Sequence, residues 1–272
     1  MAEITAQKVN ELRNKTGLGM MECKKALVEA DGDVDKAVEN LRKKGIKTSI
    51  TERAANEGRV AAATSSDHQH AVALEVVCNT DFTAKNEVVA KIAETAVQKA
   101  LSNPSADVKE DAQIKADLTA VARTTGENVQ IGRVLKLDAA AGGQVATYLY
   151  STAGKGKIAV LMAFSGKVGT DVASQLGMHI AAARPLALTR SELPADVVAK
   201  EREIAVEQAK ATGKPQQVAE KIAEGKLNAF YAERVLLDQD YINAEVFKGK
   251  VADYLKNKQA TLQKYARLEI GQ

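Results

Sequence analysis

The order strand, turn, strand, helix occurs twice in this chain, and that repetition limits its folds more than any single motif. The first round runs through "GRVAAATS" from Gly58, the turn "SDHQ", "HAVALEVV" from His70 and the helical stretch "NEVVAKIAETAVQKALS" from Asn86. The second runs through "GQVATYLY" from Gly143, the glycine-rich turn "STAGKGK", "IAVLMAF" from Ile158 and "TDVASQLGMHIAAA" from Thr170. Short apolar runs bounded by turn residues read as strands, and apolar positions three and four apart read as helix. In the two helices Val88, Ile92 and Ala96 take the places of Val172, Leu176 and Ile180. The pattern predicts an α+β fold with a duplicated core and antiparallel sheets. A helix from Ala106 to Arg123 and a strand from Val129 to Leu137 fall between the copies.

Ahead of the repeat, three short helical patterns fill the first 46 residues. Thr5 caps a helix carrying Val9 and Leu12, and "TGLG" at Thr16–Gly19 stops it. A second helix covers Met20–Ala30, and "DGD" at Asp31–Asp33 turns the chain into a third, which carries Val34, Ala37, Val38 and Leu41 and ends at Gly45. So small a bundle buries little apolar area, which suits a docking module better than an enzyme. Residues 47–57 read as a linker, 58–138 as a first core subdomain and 139–272 as a second. The second contains two charged helices, from Pro194 and from Pro215, joined by "TGKP" as a hairpin over about 194–237. Its expected apolar seam is Val197, Ile204, Ala211, Val218 and Ile222. A helix near Val251–Leu255 and a strand around Tyr265–Ile270 end the chain.

Composition narrows the chemistry. Aromatic residues make up 4% of the 272, Trp is absent, and 38 basic against 35 acidic residues leave a net charge of +3 with no basic stripe for nucleic acid. Cys23 and Cys78 have no neighbouring Cys, so neither a disulfide framework nor a zinc site is signalled. No signal core or run of eighteen apolar residues occurs, and a cytoplasmic protein that binds no membrane is expected. His68 and His70 lack further ligands with metal spacing and read as turn residues, while His179 reads as a packed polar residue on an alanine-rich helix. "GKGK" at Gly154–Lys157 lacks the full phosphate-loop pattern and sits in a hairpin turn, so it is not a nucleotide site.

What remains are surfaces. Met20 and Met21 follow a glycine-framed turn and point about 100° apart, so they either complete the thin core or stand out as a flexible grip for another protein. "CNTDF" at Cys78–Phe82 puts a scarce aromatic beside a carboxylate. Phe82 either folds back on its own sheet or is presented to a partner, and Asp81 caps a turn or acts outward.

Four separated stretches, "ELRNKTGLGMMECKKAL", "CNTDFTAKNE", "HIAAARP" and "GKPQQVAEKIAEGKLNAFYAERVLLDQ", resemble the bacterial translation elongation factor Ts family. That family comprises guanine-nucleotide exchange factors for elongation factor Tu, with a ubiquitin-associated-like three-helix module, a duplicated core and a helical hairpin. The resemblance implies that Arg13, Met20 and Met21 dock on the partner's nucleotide-binding domain. It implies that Thr80, Asp81, Phe82 and Thr83 form the motif that dislocates the partner's Mg²⁺, with Asp81 and Phe82 intruding beside the metal. It also implies that the helix around His179 faces another partner domain. The chain itself is expected to bind no GDP, cofactor or metal. Two departures stand out: Tyr150 occupies about the place of a family histidine before a longer turn, and the chain stops at "RLEIGQ", so no tail function is expected. A docking scaffold without exchange activity, a nucleic-acid binder and an enzyme are the rival readings. They are told apart by unchanged nucleotide release, by steep salt dependence and by turnover without a partner.

Overall fold

The computed structural model describes residues 4–16, 18–43, 57–210, 213 and 215–271. The first module contains α1 (Ala6–Thr16), α2 (Met20–Glu29) and α3 (Val34–Lys43). Thr5 Oγ1 accepts from Lys8 N at 3.3 Å, and Asp33 Oδ1 accepts from Asp35 N and Lys36 N at 2.9 and 3.0 Å, so the polar residues before these helices satisfy their free amides. Val9, Leu12, Cys23, Leu27, Ala37 and Leu41 close on one another as the core. The expected stop at Gly45 and most of the linker lie outside the described residues. The core strand starts at Glu57, one residue before the expected boundary, because Glu57 already pairs with Cys78.

The expected α+β architecture with antiparallel sheets is the one found. Strands β1 (Glu57–Thr64), β2 (His70–Cys78) and β3 (Gln130–Asp138) form one sheet in that order. Strands β4 (Gln144–Thr152), β5 (Lys155–Phe164) and β6 (Leu262–Glu269) form the other. All neighbours are antiparallel. The segment read as lying between the copies, β3, is the returning edge of the first sheet, and the terminal β6 has the same place in the second. Each copy is therefore a hairpin, a helical segment and a strand that comes back beside the middle one. A strand that pairs across many intervening residues leaves no local signal of its partner.

Helices cover the outer face of each sheet. On the first lie α4 (Asp81–Lys85), α5 (Glu87–Ser102) and α6 (Ala112–Thr125), with Leu74, Val76, Val89, Ile92, Ala96, Ile114 and Leu118 among the buried contacts. On the second lie α7 (Thr170–Ala183) and α10 (Val251–Asn257), packed through Met162, Phe164, Leu176, Ile180 and Tyr254. The helix expected from Ala106 starts only at Ala112, because Asp111 Oδ1 caps it from Ile114 N at 3.0 Å; residues Val108–Glu110 form a short 3-10 turn. The inner faces of the sheets meet through Val60, Ala71, Ala73, Ala159, Leu161, Ala163 and Leu268. Both faces of β2 and β5 are thus buried, which is why they read as continuous apolar runs.

Helices α8 (Ala195–Lys210) and α9 (Gln216–Arg234) form the expected hairpin, but its seam differs from the expected one. Ala205, Ala209, Ala219 and Ala223 are buried between them, with Val206 and Ile222 beside, while Ile204 and Val218 are exposed; Ala211 and Thr212 lie outside the described residues. Methyl side chains let the helix axes approach, and Ile204 and Val218, one position before Ala205 and Ala219, are turned outward.

A close approach also fixes α7 on its sheet. A Cβ at Gly177 would fall 2.3 Å from Tyr148 Cβ and 3.1 Å from Met162 Cε. Gly177→Ala is therefore expected to destabilise the protein by about 1–3 kcal/mol through overpacking, measured as a lowered urea midpoint with unchanged m-value.

Candidate functional site at the Thr80–Lys85 turn

The strand β2 ends at Cys78, and the chain does not run on as a loop. Thr80 Oγ1 accepts from Thr83 N at 3.3 Å, starting the five-residue helix α4 at Asp81. Asn86 ends it and caps the next helix, its Oδ1 accepting from Val88 N at 2.8 Å. Two caps so close together make a single turn that projects from the sheet's end.

One carboxylate holds that turn from below. Glu127 Oε2 accepts from Asn79 N and Thr80 N, both at 3.0 Å, and Oε1 accepts from Thr80 Oγ1 at 2.6 Å and Thr83 Oγ1 at 2.7 Å. Burial pushes the Glu127 carboxyl up, but the hydrogen bonds from Thr80, Thr83 and Asn79 outweigh it and hold the group below its ordinary range. Thr83 is buried by this contact. Glu127 was not singled out from the sequence, although it follows Gly126, the left-handed cap that ends α6 at φ 71°.

Asp81 and Phe82 take different directions. Asp81 is paired with Lys155 through Oδ1 and with Lys85 through Oδ2 at 2.5 Å. These hydrogen bonds, Lys155 first, pull its carboxyl down to about 2. Phe82, about 100° further round the turn, is 89% exposed, so it does not fold back on its own sheet. Lys155, from the discarded "GKGK" turn, is only 1% exposed and also reaches Glu57 Oε2 at 3.3 Å.

Met20 and Met21 are 56% and 77% exposed. The core stripe of α2 is Cys23, Ala26 and Leu27, which leaves both methionines outside; Arg13 is exposed as well. His179 does not reach the surface. It is 1% exposed, its Nδ1 accepts from Ile242 N at 3.1 Å, and Nε2 therefore carries the proton and donates to Gln239 Oε1 at 2.9 Å. Its ring stacks on Tyr241, centroids 5.5 Å apart. The imidazole thus shapes the loop that exposes Ile242. Tyr150 is exposed on β4 opposite Ile158. Among the described residues no group of His, Cys, Asp and Glu has the placement to hold a metal, and no helix is long and apolar enough to cross a membrane. His70 instead pairs with Asp138 at 2.8 Å.

The family model described as Elongation factor TS matches residues 79–272, beginning one residue before the Thr80 cap. This chain belongs to the elongation factor Ts family. It is 37% identical over 274 residues to elongation factor Ts of Teredinibacter turnerae, covering 99% of this chain and 91% of that protein. It is 39% identical to that of Saccharophagus degradans, covering 99% and 92%, and 38% identical to that of Hahella chejuensis, covering 100% and 93%. Membership carries a role in translation elongation.

The cradle and the buried histidine each have a measurable consequence. Glu127→Gln, which loses the charge and turns an amide toward four donors, should cost about 2 kcal/mol, read from urea unfolding. Burial holds the His179 imidazole below its ordinary value of 6.5, so between the two values the unfolded chain binds a proton that the folded chain does not. That contribution is complete above pH 6.5 and is lost as pH falls through the folded value. The urea midpoint should decline with acidification below that pH, with a shallower slope in His179→Gln.

Proposed function

We propose that this protein is a guanine-nucleotide exchange factor for elongation factor Tu and works in the cytoplasm. The observation that carries the reading is Phe82, a large apolar side chain 89% exposed at the tip of a turn held by Glu127 and Lys155. Exposed apolar area of this kind gains free energy by entering an apolar gap in a partner. Placed beside the partner's metal site, Phe82 with the ionised Asp81 next to it disturbs the network that bridges Mg²⁺ and the nucleotide's phosphates, and GDP leaves faster. Thr80 and Thr83 serve as the frame of that motif.

The division of labour follows the exposed side chains. Residues 1–46 dock the partner's nucleotide-binding domain through Arg13, Met20 and Met21, and residues 58–138 present the wedge. Residues 139–272 hold another domain of the partner, with His179 supporting the contact loop from within. No covalent bond is made. The factor and GDP each weaken the other's binding to elongation factor Tu by the same ratio, and GTP then displaces the factor.

Stopped-flow release of fluorescent GDP from elongation factor Tu tests this. Phe82→Ala should slow release at saturating factor by about 10- to 30-fold, the equivalent of roughly 1.5–2 kcal/mol of burial, while affinity for the partner falls less. Equal losses in rate and affinity would make Phe82 an ordinary anchor. Tight binding of the intact protein with no faster release would return the docking-scaffold reading.

A further inference from the structure

We infer that Lys155 is a positioning residue for the Phe82-bearing turn: the second half of the core, through its β4–β5 hairpin, sets the direction in which the first half presents its wedge. The consequence for nucleotide exchange rests on the reading above; the tether itself does not.

Three observations converge on the hairpin tip. The Lys155 side chain is 1% exposed, and its ammonium meets Asp81 of α4 and Glu57 of β1. A cation so buried is tolerated only when paired, so Asp81 is tied to the hairpin through Oδ1 while its side chain stays 44% exposed beside Phe82. Arg59 of β1 forms a second tie, donating to the Ala84 carbonyl of α4 at 3.4 Å and the Gly154 carbonyl of the hairpin at 3.3 Å. The hairpin comes this close because Gly156 has no side chain; a Cβ there would lie 2.1 Å from the Val60 carbonyl oxygen. The "GKGK" run is thus built for contact with the first sheet, with Gly154 at φ 74° turning the chain and Gly156 admitting it.

A helix of one turn has no stability of its own, so its orientation is whatever its attachments impose. Glu127 holds its N-terminal threonines, Arg59 the Ala84 carbonyl, and Lys155 its first side chain. With Asp81 drawn toward Lys155, the neighbouring position faces away from the protein, and Phe82 occupies it. The order Thr, Asp, Phe therefore reads as cap, anchor and wedge.

The test compares Lys155→Met, Lys155→Arg and Asp81→Asn with the parent protein in two assays. Amide hydrogen exchange of the free protein should speed up by about tenfold or more at Thr83, Ala84 and Asn86 in Lys155→Met and in Asp81→Asn, with β2 and α5 protected as before. Lys155→Arg should retain protection. In GDP release from elongation factor Tu, Lys155→Met should lower the rate at saturation by about tenfold with less than about a threefold change in half-saturating concentration, and Lys155→Arg should recover most of it. Parent-like protection at α4 in both Lys155→Met and Asp81→Asn overturns the tether. A loosened α4 with a parent-like release rate overturns the positioning role. If the parent protein itself does not accelerate release, the exchange reading fails, and the amide data still decide the tether.

Discussion

The alanine-lined contact between the two sheets is the constraint on which the rest of this molecule depends. Ala71 and Ala73 on β2 face a layer that includes Ala159 and Ala163 on β5, and methyl groups leave little thickness between the backbones. That closeness brings the tip of one hairpin over the first strand of the other sheet. Bulkier inner faces would hold the sheets apart and leave Lys155 out of reach of Asp81. The low aromatic content of the chain thus has a structural role: the inner layer is thin because its side chains are small.

Charges are placed at the points where the halves must keep register. Glu75, buried where the β2–β3 register shifts, accepts from Arg133 through both carboxylate oxygens at 2.9 and 2.7 Å. Arg133 also donates to the Glu269 carbonyl of the other sheet at 2.6 Å. Lys155 with Asp81 and Glu57 is the corresponding bridge at the functional end. An apolar contact has no strong directional preference, whereas an ion pair with one buried member, as Glu75 and Lys155 are, leaves an uncompensated charge when misplaced by a few ångströms. These pairs specify where the sheets sit more than how strongly they adhere.

Much of the site was visible in the sequence as residue types, while its geometry was not. The scarcity of aromatics that set Phe82 apart and the paired methionines after Gly19 follow from local chemistry, whereas the cap offered to Asp81 falls to Thr80, whose hydroxyl reaches Thr83 N. Sequence alone left Phe82 and the methionines between core and surface, since periodicity does not say which stripe of a short helix is covered. His179, counted among the partner contacts, lies under the surface because Gln239 and Ile242, far along the chain, meet its two nitrogens. In the helical hairpin the spacing of Ile204 and Val218 suggested a seam, but Ala205 and Ala219, one position on, pack closer and took it, with Ile222 of the expected seam beside them.

By itself the sequence determined the elements and their order: the caps at Thr5 and Asp33, the apolar middle strands, the repeated unit and the family to which its motifs point. Those features are local, arising from hydrogen bonds and side-chain periodicity within a few residues. Tertiary structure alone decided that β3 and β6 return beside β2 and β5, that Glu127 cradles Thr80 and Thr83, and that Lys155 anchors Asp81 across 74 positions of chain. Each of these joins groups whose separation in sequence carries no periodic signal. Their meeting is set by how small side chains let two layers close, and the outward aim of Phe82 follows from that closure.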